Sequence, residues 1–211
     1  MLEWDLFRIF LIASLALVLV PGPAVLYIVA RSIAQGRKAG IVSVLGIAVG
    51  GTVHVTAAAL GLSALLMSSV LAFMVVKYLG AAYLIYIGIR TLMTKTKTED
   101  TSSIETQPLW HIFRQGIIVN VLNPKTALFF FAFIPQFIDP TLGTITPQVL
   151  FLGFVFVTMA LCTDSMYALL AGTMGNWLRG NLRYLKAQRY FAGSIYILLG
   201  LTTAFSSSDN A

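Results

Sequence analysis

IFLIASLALVLVPGPAVLYIVA, the stretch from Ile9 to Ala30, runs for 22 residues without a charge or a histidine. About 20 apolar residues cross the hydrocarbon core of a bilayer as a helix, so this stretch predicts a membrane span. The rest of the chain repeats the pattern. Between Ala39 and Val76 the only ionisable side chain is His54, and beyond Lys77 the apolar character lasts to Arg90. That length requires two helices, near 40–65 and 70–91, with Ser68 and Ser69 turning the chain between them. Gln115 to Ile138, whose only charge before its end is Lys125, gives a fourth span. A fifth, near 148–173, contains Asp164, and Tyr190 to Ser208 supplies the sixth. Composition agrees: 58% of the 211 residues are hydrophobic and 10% charged, where a soluble domain carries about a quarter charged residues. The expected fold class is all-α integral membrane, one polytopic domain of six transmembrane helices over residues 1–211.

The N-terminus does not read as a secretory signal. A signal begins with a basic segment, whereas this one holds Glu3, Asp5 and only Arg8, and its apolar run continues past Pro23 to spanning length. Cys162, the single cysteine, is expected to be a small packing residue. The formal charge of +6 points to topology and not to nucleic acid. With six spans, the loops after the first, third and fifth share a face. They hold Arg31, Arg37, Lys38, Arg90, Lys95, Lys97, Arg114, Arg179, Arg183, Lys186 and Arg189, eleven of the 14 cations. The positive-inside rule then puts both termini outside the cytoplasm. The Thr94–Pro108 segment, rich in Thr, Ser, Lys and Glu, reads as a cytoplasmic linker.

The halves resemble each other. KYLGAAYLIYIGIR, Lys77 to Arg90, aligns without gaps on RYFAGSIYILLGLT, Arg189 to Thr202. The first and fourth spans are each broken by proline, at Pro21-Gly22-Pro23 and at Asn123-Pro124-Lys125, and an offset of 110 lays His54 on Asp164. Three helices per copy require the second copy to cross in the opposite sense. Two inverted repeats, about 1–92 and 112–208 with a linker at about 93–111, are therefore expected, an architecture that puts a substrate site at mid-membrane between broken helices.

The chemistry is expected at those breaks. Proline removes a backbone donor and leaves carbonyls that lipid cannot satisfy. Pro21, Gly22, Pro23, Asn123, Pro124 and Lys125 are the candidate substrate-binding residues. A mid-membrane lysine costs about 3 kcal/mol on insertion scales and should face a cavity or a partner. Asp164 and His54, the other ionisable groups deep in the spans, are the candidate proton-coupling residues. Gly40, Gly46, Gly50, Gly51 and Gly61 read as packing positions on the second helix. Phe129, Phe130, Phe131 and Phe133 follow the Lys125 break and could shape a pocket.

PGP at Pro21 to Pro23, G-R-x-A-G from Gly36 to Gly40, KYLGAAYLIYIG from Lys77 to Gly88 and NPK at Asn123 to Lys125 together resemble a family. It is that of the amino-acid efflux proteins of the lysine exporter and homoserine/threonine exporter type (LysE/RhtB), and the resemblance covers essentially the whole chain, His54 and Asp164 included. It implies an inner-membrane secondary transporter, driven by protons, that exports neutral amino acids of the homoserine/threonine type or close derivatives. The partners implied are an amino acid, protons and the bilayer, with no cofactor and no metal; a homo-oligomer is compatible. An enzyme is disfavoured, because no nucleophile elbow accompanies His54. A channel or a non-catalytic assembly partner is the alternative, since broken helices also line pores.

Overall fold

The computed structural model describes residues 4–68, 106–139 and 143–179, with scattered helical positions between 75 and 93 and between 190 and 201. The expected third and sixth spans, most of the linker, and the Lys77–Arg90 match to Arg189–Thr202 fall largely or wholly outside the described residues. Among the described residues all regular structure is helical.

Helix α1 (Trp4–Leu19) stops before Pro21, and α2 (Pro23–Ser68) begins with Pro23 in its first turn. Proline is well placed there, because a first-turn N–H has no helical partner to lose. Within α2, Gly36 has φ 80 and ψ −179, a region open in practice to glycine alone. The chain folds back at this point. The Ser32 side chain lies against Gly40, eight residues on, which a straight helix would hold about 12 Å away. Thus α2 is two antiparallel arms, 23–35 and 37–68, joined by a one-residue turn. Helix α3 (Leu109–Val121) is followed by α4 (Pro124–Leu128), a π-helical turn (Phe129–Phe133) and a 3-10 turn (Ile134–Phe137). Helix α5 (Ile145–Arg179) completes the described bundle.

Contacts along α5 give the topology. The Phe7 ring lies 5.8 Å from that of Phe151, Tyr167 bonds to the Leu19 carbonyl at 2.9 Å, and Arg37 Nη2 donates to Thr173 Oγ1 at 3.3 Å. Residues 7–37 therefore run beside residues 151–173 in the same direction, so α1 and the first arm of α2 form one crossing broken in the middle. The α5 stretch they follow rises about 33 Å, close to the ~30 Å hydrocarbon thickness. The second arm returns, with Gly51 against Val157 and Val55 against Gly153. Helix α3 runs parallel to that arm, with Phe113 and Gly116 against Gly46 and Ile117 against Gly50. After a bend of 45° the chain continues through Pro124–Phe137 and reaches Phe10, whose ring is 5.3 Å from that of Phe137.

By length and composition, Pro23–Gly61 and Ile145–Thr173 are each able to cross a membrane, and α3 with Pro124–Phe137 is a third candidate as a bent pair. Gly36 divides the first of these, and α1 with the first arm makes a bent crossing of the same kind. The outer surface suits lipid: Ile12, Leu60, Leu122 and Phe154 are 71%, 68%, 74% and 70% exposed. Cys162 is exposed, contrary to its expected packing role, because its position on α5 faces away from the bundle. The hairpin tip and the start of α3 meet at one end of the bundle. There Arg31 Nη2 donates at 2.9 Å to both Gln107 and Gln115, and Gln35 and Gln107 exchange two hydrogen bonds. Arg8 pairs with Asp5 at the far end, at 3.4 Å.

The second arm and α3 touch backbone to backbone. A Cβ on Gly46 would collide with the Phe113 carbonyl oxygen, and one on Gly50 would sit 2.7 Å from that of Ile117. At Gly51 the nearest atoms would be 3.4 Å away, an ordinary contact. Gly46→Ala should therefore destabilise the purified protein by about 1–3 kcal/mol, the range for overpacking a tight core, while Gly51→Ala should unfold with the wild type. Thermal unfolding in detergent measures the difference; equal stabilities for the two variants would contradict this packing.

Candidate functional site

Three prolines lie at the two breaks, and each deprives the carbonyl four residues before it of a helical donor. Those carbonyls belong to Leu17, Leu19 and Asn120, and each has a replacement. The Val20 N–H reaches Leu17 at 3.0 Å, and the Tyr167 hydroxyl, from α5, donates to Leu19 at 2.9 Å. Asn120 receives the Asn123 N–H at 3.0 Å and His54 Nε2 at 2.8 Å. A carbonyl only accepts, so His54 carries a proton on Nε2. The Val20 carbonyl, at the first break, accepts from Lys125 Nζ. Each break is thus held by side chains from other crossings.

The two breaks share a local design. The Gly22 carbonyl accepts the first bond of the α2 helix from Leu26 N–H at 3.0 Å, with Pro23 next; the Asn123 carbonyl accepts from Ala127 N–H at 3.1 Å, with Pro124 next. Asn123 also caps α4, its Oδ1 accepting the Lys125 N–H at 3.1 Å, as an N-cap side chain does before a first-turn proline.

Between the breaks lies a cavity offering about 50 Å³ to the centres of water molecules. Gly22, Ala24 and Val25 contribute from the start of the first arm, and Asn123, Lys125 and Thr126 from the second break. Asp164 and Phe156 come from α5. Lys125 and Asp164, only 9% and 6% exposed, both line the cavity. Asn120 organises the wall: its Nδ2 donates to the Ile47 carbonyl at 2.7 Å, and its Oδ1 accepts from Asn123 and Thr126 at 3.2 and 3.0 Å.

Gly22, Asn123, Lys125 and Asp164, four of the residues expected from sequence, are therefore brought to one cavity. Pro21, Pro23 and Pro124 shape the breaks without lining it. His54 stands behind the wall, its ring parallel to that of Phe130 at 6.2 Å. Through Val55 it is level with Gly153, roughly 15 Å of helix rise from Asp164. Sequence reasoning missed Asn120, Thr126, Tyr167 and Phe156. Asn120 had a signal, standing four residues before Pro124; Tyr167 had none, because the carbonyl it serves is 148 positions away.

Residues 15–207 match the family of LysE type translocators. The chain belongs to that family. It is 32% identical over 195 residues to the homoserine/homoserine lactone efflux protein of Salmonella typhimurium, covering 92% of this chain and 94% of that protein. It is 28% identical over 195 residues to an uncharacterized membrane protein of Vibrio cholerae, with 92% and 94% covered. Over 133 residues, 63% of each chain, it is 34% identical to the leucine efflux protein of Salmonella choleraesuis. No solved structure matches the chain significantly. Family membership makes the chain a membrane translocator and gives the cavity between the broken crossings its context.

Removing one of the replacement donors should leave its carbonyl unpaired at a helix break where lipid offers no donor, at a cost of about 1–3 kcal/mol. Tyr167→Phe, which deletes a single hydroxyl, should lower the unfolding temperature measurably, and Asn120→Leu, which removes three side-chain hydrogen bonds, should lower it further. Thermal unfolding of the detergent-solubilised variants checks the order.

Proposed function

We propose that the chain exports neutral amino acids or close derivatives across the bacterial inner membrane by proton antiport. The observation that carries this reading is the cavity between the two broken crossings, which is lined by one buried cation and one buried carboxylate beside a mostly apolar wall. A zwitterionic amino acid has the matching features: a carboxylate, an ammonium and a side chain. The carboxylate is assigned to Lys125 and the N-terminal turn of the first arm at Gly22, Ala24 and Val25, where the helix dipole also favours negative charge. Asp164 faces the ammonium and exchanges the coupling proton. His54 acts at one remove, through the Asn120 carbonyl. The efflux activities named for the Salmonella relatives support an amino-acid substrate.

The six-span inverted repeat belongs to the same proposal. Its support is the antiparallel relation of the two broken crossings, and likewise of the second arm of α2 and α5, together with the shared Gly22-Pro23 and Asn123-Pro124 restarts. Both termini are assigned to the periplasm. The clustering of Arg31 and Arg37 with the start of α3 at one end of the bundle supports that orientation.

Export of radiolabelled amino acids from preloaded cells, and counterflow in proteoliposomes, test the function; a channel would show no exchange-accelerated uptake. Lys125→Ala should reduce transport by about 30-fold or more, the scale for removing one partner of a buried charge interaction, at normal abundance in the membrane. Normal efflux from that variant would rule the assignment out.

Asp164→Asn keeps the shape of a neutral carboxyl but cannot release a proton. It should abolish uphill transport driven by a pH gradient and preserve substrate exchange, which moves no net proton. Uphill transport at the wild-type rate would remove Asp164 from the coupling step.

A further inference from the structure

Phe156, Ala160 and Asp164 recur every four residues on α5 and all line the cavity. They therefore share a face, with the Phe156 position about 12 Å of helix rise from that of Asp164. Lys125 stands with Asp164, and Phe129, four residues on, stacks on Phe156 with ring centroids 4.1 Å apart. The cavity is thus charged at one end and mostly apolar toward Phe156, Val157 and Gly51, where the one polar group is the Asn120 amide, already bonded to the Ile47 carbonyl. Phe156 is fixed in place: besides Phe129, it meets Phe130 edge-on at 5.5 Å and 85°.

Gly51 differs from the glycines that pack α3. At Gly46 a side chain is excluded by a backbone carbonyl, whereas at Gly51 a Cβ would meet Asn120 Nδ2 and Val157 Cγ2 at 3.4 Å. Helix packing does not forbid a methyl group there. What the missing side chain leaves is room in the cavity between Val157 and the Asn120 amide.

We propose that Gly51 and Phe156 are specificity-determining residues that set how long an amino-acid side chain the site accepts, with the head group held between Lys125 and Asp164. Gly51 leaves width beside Val157, and the Phe156 ring closes the end. This inference rests on the amino-acid reading given above.

The test is counterflow in proteoliposomes with a graded series: alanine, 2-aminobutyrate, norvaline, leucine and phenylalanine. Gly51→Ala should lower the rate for the longest side chain the wild type accepts by about tenfold relative to alanine, the scale of one misplaced methyl group in an apolar pocket, and leave alanine within about twofold. Phe156→Ala should tilt the series the other way, raising leucine and phenylalanine relative to alanine. Because Phe156→Ala also removes aromatic packing, Phe156→Leu is measured beside it and should tilt in the same direction by less. Rates that fall equally across the series in Gly51→Ala, or ratios unchanged in all three variants, would overturn the gauge while leaving the amino-acid reading intact. Wild-type protein that exchanges none of the five would overturn the amino-acid reading itself, and the gauge with it.

Discussion

A carbonyl in the middle of a membrane protein has no water to fall back on, and proline takes away the N–H it would normally meet. The described fold is arranged around that constraint. Leu17, Leu19 and Asn120 lose their helical donors to Pro21, Pro23 and Pro124, and the replacements for Leu19 and Asn120 arrive on other crossings, from Tyr167 and His54. Lys125, from the second break, bonds to the Val20 carbonyl at the first. The breaks are therefore the points at which separate crossings are tied together. Unpaired, each carbonyl would cost on the order of 1–3 kcal/mol, enough to keep the tyrosine, the histidine and the lysine where they are.

Holding two helix breaks at the same depth also opens space. The backbone leaves its helical path at 20–22 and again at 122–123, and the cavity lies between these breaks. The neighbours at that level, Ala24, Ala48, Gly51 and Ala160, are small. Closure comes from the aromatic group of Phe129, Phe130, Phe133 and Phe156. Three of these, Phe129, Phe130 and Phe133, stand on a π-helical turn just after α4, a geometry that re-aims successive side chains and recurs at functional sites. In the transport reading this combination is apt, since a cavity tied by hydrogen bonds from several crossings changes shape when any of those crossings moves.

Some of this arrangement was legible in the sequence because its cause is local. The interval between the first two apolar runs, 31–39, holds the hairpin, although its place at Gly36 and its sharpness, a single residue, are not written in composition; apolar runs specify helices and say little about the turn between them. Asn123-Pro124 reads as a cap followed by a first-turn proline, and α4 restarts there. The glycines at 46 and 50 were legible as packing positions, but Gly51, identical in sequence terms, proved different. Whether a glycine is excluded from bearing a methyl depends on the atoms opposite, which sequence does not supply. The correspondence of His54 with Asp164 by offset carried no information about distance. In an antiparallel pair of helices, equivalent positions fall at the same level only at the centre, and these two stand to either side of it.

The sequence by itself determined the apolar character of the described helices, the positions of both breaks and where along the chain the cations cluster. Each follows from properties of consecutive residues: hydropathy over a span, a missing N–H, a charge. The tertiary structure decided which carbonyl meets which donor, that Lys125 and Asp164 share a cavity while His54 stands behind its wall, and that Phe156 closes one end of it. Those outcomes depend on how helices far apart in the chain are registered against one another. That register is fixed by backbone contact at small residues and by the hydrogen bonds at the breaks, which act across distances along the chain as long as the 148 positions between Leu19 and Tyr167.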